Sequence, residues 1–208
     1  MALRRTAEER RSEIVSAALR LADALGPDRL TTEVIAAEVG VSQPAIFRHF
    51  RTKQAIWLAV ADNVADRMTA AWDDVLDRPS GPVERIGELV SAQLRLIEAT
   101  PAIPAILFSR ELHVENEGLR ARFLELVGRF HQTIAGEVRR AQGEGEMTGD
   151  IDPNDIAFLL IGLVQGLALR WSLSRRRFGL EAEGARLLAV QLTLLGQSAA
   201  AGTGKDRS

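Results

Sequence analysis

The residues best suited to specific chemistry lie close together, in residues 30–53 (LTTEVIAAEVGVSQPAIFRHFRTK). Their side chains are hydrogen-bonding and cationic rather than nucleophilic. A Gln can bond the edge of an adenine, an Arg can reach a guanine or a phosphate, and an apolar side chain can contact a thymine methyl group. A Lys ammonium beside the backbone N–H groups of a helix start can hold a phosphate. This stretch therefore predicts recognition of double-stranded DNA.

Two short helices joined by a tight turn would position these residues. Thr31 is placed to cap a helix from Thr32 to Val39, and Gly40 is placed to end it. Ser42 is placed to cap a second helix, Gln43 to His49. The apolar residues of both helices would face a preceding helix. The arrangement is a helix-turn-helix, and it leaves the polar face of the second helix free for the major groove.

Ten residues are candidate DNA contacts. Those on the second helix would reach base edges, and Lys53, in the first turn of the following helix, would hold a phosphate. His49 either contacts a phosphate or packs the turn. The candidates are Thr31, Thr32, Ser42, Gln43, Pro44, Ala45, Phe47, Arg48, His49 and Lys53.

The rest of the chain has a helical period throughout and no strand signal. Helices are predicted over residues 83–98, 118–141, 153–175 and 181–197, with a kinked or short segment from Pro101 to Arg110. The predicted fold class is all-α. It comprises an N-terminal three-helix helix-turn-helix domain, a C-terminal helical bundle and a disordered tail, at residues 1–53, 54–200 and 201–208.

Composition excludes several classes of protein. The 208 residues are 46% hydrophobic and 26% charged, which excludes a disordered chain. The chain has no Cys, which excludes disulfides, thiolate metal sites and Cys nucleophiles. No apolar run reaches the roughly 18 residues of a membrane span, and residues 1–11 lack the apolar core of a signal peptide. We therefore expect a cytoplasmic protein with no membrane partner.

The charge distribution favours DNA binding at the N-terminal end. The formal net charge is -2, yet residues 1–53 carry nine basic and seven acidic side chains. Arg4, Arg5, Arg10 and Arg11 form a basic run that either enters a minor groove or is simply solvated.

An all-α enzyme is the alternative class, and the motifs argue against it. The three His, at positions 49, 113 and 131, are far apart in the sequence. No zinc-protease, nucleophile-elbow, P-loop or dinucleotide-binding pattern occurs. We therefore predict no catalytic residue, no metal site and no cofactor.

Residues 31–53 resemble the N-terminal motif of the TetR family of bacterial transcriptional regulators, T-T-x-x-I-A-x-x-x-G-V-S-x-x-x-[LI]-[YF]-x-H-F-x-x-K. The one departure from the commonest pattern is Phe47, where many relatives carry Tyr; the missing hydroxyl assigns Phe47 mainly to packing. The matching residues are Thr31, Thr32, Ile35, Ala36, Gly40, Val41, Ser42, Ile46, Phe47, His49, Phe50 and Lys53.

The resemblance implies a homodimeric repressor of a palindromic operator, with two recognition helices about 34–36 Å apart. A small apolar or amphipathic effector, whose identity the sequence does not show, would enter the C-terminal domain. It would shift the spacing of the DNA-binding heads and lower operator affinity, with a coupling free energy of about 1–3 kcal/mol. A DNA-binding protein without an effector is the alternative, which a tightly packed C-terminal core would favour.

The resemblance also assigns two residue sets in the C-terminal part. Candidates for lining an effector cavity are the large apolar residues and a few polar ones among them: Met68, Trp72, Ile103, Leu107, His113, Phe123, Phe130 and Gln165. The last two long helices are too apolar all round for a monomer surface, so they are the candidate dimer interface, with monomer core as the alternative. The interface candidates are Ile156, Leu160, Leu163, Leu167, Trp171, Leu187, Gln191 and Leu194.

Overall fold

The computed structural model describes residues 6–201, with side chains for residues 6–195. The described residues form ten α-helices and no strand, which confirms the all-α fold class. A single 3-10 turn, Pro27–Arg29, follows the first helix. The helices are α1 Ala7–Leu25, α2 Thr32–Val39, α3 Gln43–Phe47, α4 Lys53–Leu76, α5 Pro82–Ala99, α6 Ala102–Leu107, α7 Arg110–Glu115, α8 Glu117–Gly143, α9 Pro153–Leu173 and α10 Leu180–Ala201.

Local signals set most of the helix ends. The Thr31 hydroxyl accepts a hydrogen bond from the α2 backbone at 3.3 Å, and Gly40 ends α2 with a left-handed φ of 72°. Thr52 and Asp152 accept the corresponding bonds at the starts of α4 and α9. The predictions for Thr31 and Gly40 are confirmed. Ser42 occupies the predicted cap position of α3, but its side chain makes no capping hydrogen bond.

Two helices end earlier than their periodicity predicts. Helix α3 ends at Phe47 rather than at His49. Helix α9 ends at Leu173, and the chain then turns through Arg175 and Arg176, whose φ angles are 54° and 61°. Left-handed backbone costs a non-glycine residue about 1–2 kcal/mol, so this turn is strained.

Contacts divide the chain into two compact units. The first comprises Met1–Arg67 and Thr100–Leu126, and the second comprises Met68–Ala99 and Val127–Ser208. Packing therefore does not follow the predicted boundary after residue 53, because α6, α7 and the start of α8 belong with the first three helices. It stays a prediction that the DNA-binding part of the chain ends at residue 53. The predicted disordered tail lies outside the described residues, apart from Ala201.

The core of the first unit holds the helix-turn-helix together. Helix α1 packs against α2 and α6, and α2 packs against α3. Ile14 of α1, Ile35 of α2 and Ile46 of α3 are all completely buried. Since full burial of such a side chain stabilises the fold by about 1.5–3 kcal/mol, these contacts fix α3 on its two supporting helices.

The core of the second unit lies where α5, α9 and α10 pack together. Leu89 and Leu94 of α5 and Leu160 of α9 are completely buried. Helix α10 approaches α5 at Gly184, where an added Cβ would lie 2.0 Å from Leu94 Cδ1. The small residue therefore permits this close helix pair.

The orientation of α9 corrects the predicted dimer interface. Ile156, Leu160, Leu167 and Trp171 are at most 4% exposed, because they form the face that packs inside the second unit. The prediction is wrong for these four residues, and its alternative, monomer core, holds for them. Of the remaining candidates, Leu163, Leu187 and Gln191 are half-buried and Leu194 is exposed, so for these the interface stays a prediction.

The opposite face of α9 carries an outward stripe of apolar and small residues. With about 3.6 residues per turn they fall within one side of the helix. The large apolar members are between 42% and 76% exposed. The outward stripe comprises Phe158, Leu159, Gly162, Gly166, Leu169 and Leu173.

Helix α9 is also the one described helix that is long and apolar enough to cross a membrane. The expectation that no stretch reaches this length is wrong, because a helix of 21 residues tolerates the few polar residues of α9. A core helix passes the same test of length and composition, and one face of α9 is buried inside the second unit.

Glu183 gives the second unit a pH-dependent contact. Arg186 and then Arg170 donate hydrogen bonds to this carboxylate and lower its pKa from 4.5 to about 2. A lowered pKa stabilises the folded state above the unfolded value, and this contribution is lost as the pH falls from about 4.5 through 2. We expect Glu183→Gln to lower stability to denaturant at pH 6, and the difference from wild type to shrink towards pH 2. Glu144→Gln, at an exposed site with no ion pair among the described contacts, is the control; a Glu183 effect that does not vary with pH would contradict the assignment.

Candidate DNA-binding surface and effector site

Helix α3 presents a mixed apolar and cationic face to solvent. Phe47 is 42% exposed, and Arg48 and Pro44 are exposed beside it. Ile46 and Phe50, on the other side, are at most 2% exposed and anchor the helix in the first unit. An exposed guanidinium directly after a short helix that is held by its buried face can reach a base edge or a phosphate.

Arg11 of α1 holds the end of this helix. Its guanidinium carbon lies 4.1 Å from the centre of the Phe50 ring, and its Nη1 donates a hydrogen bond to the backbone carbonyl of His49. The side chain therefore neither extends as a flexible arm nor points freely into solvent. Arg10 pairs with Glu13 at 2.9 Å, while Arg4 and Arg5 lie outside the described residues.

Gln43 is held by two residues of α2. Its Nε2 donates to Thr32 Oγ1 at 2.9 Å and also to Glu33 Oε1. Thr32 is 8% exposed, and its own hydroxyl donates towards Glu33 Oε2 at 3.5 Å. The prediction that Thr32 contacts DNA is therefore wrong for this conformation, because its hydroxyl is buried against Gln43.

The other candidate DNA contacts lie on one part of the first unit and stay predictions. Thr31, Ser42, Pro44, Phe47 and Arg48 are exposed, while Gln43, Ala45, His49 and Lys53 are half-buried. Sequence reasoning missed the positioning by Arg11 and Glu33. Glu33 lies ten residues before Gln43, on another helix, and no local spacing signal joins the two.

Comparison with known proteins agrees with this geometry. A profile described as "Bacterial regulatory proteins, tetR family" matches residues 14–60, and one described as "Tetracyclin repressor-like, C-terminal domain" matches residues 82–182. The nucleoid occlusion factor SlmA of Salmonella paratyphi B is 30% identical over 183 residues, covering 86% of this chain and 91% of that protein. The chain belongs to the TetR family.

Solved structures of other transcriptional regulators share the fold. A transcriptional regulator from Saccharomonospora viridis in complex with choline superposes with a TM-score of 0.75 at 25% identity, covering 88% of this chain and 94% of that one. The regulator FadR from Bacillus subtilis in complex with stearoyl-CoA superposes with a TM-score of 0.73 at 18% identity, covering 89% and 97% of the two chains. The profile matches make this chain a DNA-binding regulator of the TetR family, and these structures share its fold.

The candidate effector residues of this TetR-family chain are divided between its two units. In the second unit, Trp72 and Phe130 stack with ring centres 4.8 Å apart. Trp72 Nε1 donates to Gln93 Oε1 at 3.0 Å, and Gln93 Nε2 lies 3.4 Å from Met68 Sδ. Gln93, a polar residue that sequence reasoning missed, thus contacts two predicted pocket residues, Trp72 and Met68, and Phe130 stacks on Trp72. Gln165, the fourth in this unit, is half-buried.

In the first unit the candidates include a histidine at a surface cleft. His113 Nε2 lies 2.9 Å from the Leu107 carbonyl oxygen, and its ring meets the edge of Phe123 at 6.1 Å between centres. Ile103, the remaining candidate, is buried. His113 also borders a cleft of about 570 Å³, lined by Arg110, His113, Val114, Glu117 and Arg120.

Several buried polar atoms of the first unit have no hydrogen-bond partner. They are Trp57 Nε1, Thr100 Oγ1, His113 Nδ1 and Asn116 Oδ1. Buried polar atoms are nearly always bonded, so an ordered water or a ligand is the expected partner of such atoms. In the described part of the chain, no group of three or more His, Cys, Asp or Glu could hold a metal ion.

Proposed function

We propose that this chain is a ligand-responsive repressor. It binds a palindromic operator as a homodimer and is released by a small apolar or amphipathic effector. The observation that carries the DNA-binding part is the exposed face of α3 and of the residue that follows it. Phe47 and Arg48 are exposed there, while the buried Ile46 holds the helix in place. This face has the size and chemistry of a major-groove reader.

The outward stripe of α9 supports the homodimer. Contiguous apolar surface of this kind on a soluble protein marks an interaction site. Val190 and Leu194 of α10, whose side chains are 49% and 64% exposed, add to this apolar surface. Two-fold symmetry brings the same patch of two copies together, and it matches the symmetry of a palindromic operator.

The unbonded polar atoms of the first unit support an effector there. A ligand site combines apolar walls with a few polar groups that orient the ligand, and Trp57, Thr100, His113 and Asn116 supply such groups. The related regulator from Saccharomonospora viridis binds choline. We propose that the effector of this chain contacts His113, and that its binding lowers operator affinity.

Selection of operators from random-sequence DNA, followed by mobility-shift titration across a salt series, tests the DNA-binding proposal. We expect a palindromic consensus and a dimer on each site. Arg48→Ala should weaken operator binding about ten- to a hundredfold, because a base-edge contact contributes about 1–3 kcal/mol of discrimination. Arg139→Ala removes an exposed arginine of the second unit and should leave binding within about twofold. Equal losses in both variants would contradict the assignment of α3.

A DNA-binding protein without an effector is the second candidate function. The stacked Trp72 and Phe130 favour it, since these predicted pocket residues fill space around each other. The 30% identical SlmA is a nucleoid occlusion factor, not a repressor by name. A small molecule that changes operator affinity, with the change lost in His113→Phe, would decide for the repressor.

A further inference from the structure

The amide nitrogen of Gln43 is already hydrogen-bonded within the protein, which is unusual for a side chain that reads DNA bases. Both hydrogens of its Nε2 have acceptors within the protein, at Thr32 Oγ1 and Glu33 Oε1. Its Oε1 makes no hydrogen bond among the described residues. The side chain is half-buried, so part of it remains accessible.

The chemistry of Glu33 settles which end of the amide is held. An ionised carboxylate only accepts hydrogen bonds, so the Gln43 atom that faces it is the nitrogen. The pKa of the Glu33 carboxyl is lowered, first by its own backbone N–H and then by the Thr31 hydroxyl, with Gln43 and Thr32 contributing further. The carboxylate therefore stays ionised at neutral pH and keeps accepting from Gln43.

We propose that Gln43 reads the operator through its carbonyl oxygen alone. This inference rests on the proposed placement of α3 in the major groove. A free Gln pairs with adenine in two ways, accepting from N6–H and donating to N7. With its N–H groups engaged, Gln43 offers only an acceptor.

The inference specifies the base preference at one position of each half-site. An acceptor bonds the N6–H donor of adenine or the N4–H donor of cytosine, and it is repelled by the O6 of guanine and the O4 of thymine. Gln43 should therefore accept adenine and cytosine and reject the other two bases. Thr32 and Glu33 act as positioning residues, since they set the orientation of the amide without themselves contacting DNA.

Deep sequencing of selected operators from the full-length protein tests this specificity. Selection with Gln43→Ala first identifies the base that Gln43 contacts, as the position where preference is lost. At that position we expect wild type to bind adenine and cytosine within about threefold and to disfavour guanine and thymine by about tenfold or more. Glu33→Ala frees one N–H for adenine N7 and should favour adenine over cytosine by about tenfold.

Matched variants separate orientation from charge. Glu38→Ala removes another acid of α2, one that pairs with Arg20 at 3.0 Å, and it should leave the adenine-to-cytosine ratio unchanged. Thr32→Val with Glu33→Ala should strengthen the shift to adenine. A wild-type preference for adenine of tenfold or more over cytosine would overturn the inference, as would a Glu33→Ala variant that binds all sites more tightly with an unchanged ratio. If no sequence is enriched at all, the proposed operator binding fails instead.

Discussion

A Leu159→Asp/Leu173→Asp variant is expected to be a monomer that no longer binds its operator specifically. Both leucines belong to the outward stripe of α9 and are 55% and 76% exposed in the single chain. Burying two carboxylates between two copies would cost far more than the lost apolar contact. With one recognition helix per molecule, we expect operator affinity to fall at least about a thousandfold, towards the non-specific level.

Mass and DNA affinity should change together in this variant. Light scattering during gel filtration should give 22.7 kDa rather than twice that value. Leu124→Asp is the matched control, because this leucine of α8 is 70% exposed but lies outside the stripe. We expect it to remain dimeric and to bind as wild type does. A double variant that stays dimeric would show that another surface joins the two copies.

Arg85→Met is expected to cost the fold about 1–3 kcal/mol, because it removes one of the two cationic partners of a buried carboxylate. Glu137 of α8 is 1% exposed, and its Oε2 lies 3.6 Å from Nη1 of Arg85 on α5. Arg140, one turn along α8, donates to the other carboxylate oxygen but is itself 54% exposed. Without Arg85, the buried carboxylate loses its better-shielded partner.

A double variant shows whether the cost comes from the buried charge of Glu137. Replacing both partners, Arg85→Met with Glu137→Leu, should recover most of the lost stability, since an apolar pair of similar volume is often as stable as a buried ion pair. Urea unfolding of the two variants, of Glu137→Leu alone and of an exposed-site control, Arg139→Met, measures the coupling. Additive losses in the double variant would contradict a direct interaction between the two side chains.

The helix-turn-helix was predictable because its signals are local. Thr31 and Gly40 mark both ends of α2, so its bounds agree with the prediction to the residue. Helix α3 ends at Phe47, two residues before the predicted end at His49, and no local sequence signal marks this end. The carbonyl of His49 accepts from Arg11 of α1, a residue 38 positions away. Contacts between distant helices therefore set the details of the candidate site.

The orientation of α9 could not be predicted for a different reason. Amphipathicity reveals which face of a helix is buried only when the opposite face is polar. Helix α9 is apolar on both sides, since Leu160 packs inside while Leu159 points outward. The sequence of α9 is therefore compatible with the burial of either face. Packing against α5 and α10 determines which face is buried. The Gln43 and Glu33 pair was missed because its two members lie on separate helices.

The burial of all three tryptophans gives this protein a built-in set of optical reporters. The chain has no Tyr, so its near-ultraviolet fluorescence comes from three indoles alone. Trp57 lies in the first unit, with its Nε1 unbonded, while Trp72 and Trp171 lie in the second, where Gln93 and the Phe178 carbonyl accept from them. Variants that keep one indole each would thus allow the two units to be observed separately, without a chemical label, while DNA or a small molecule is added.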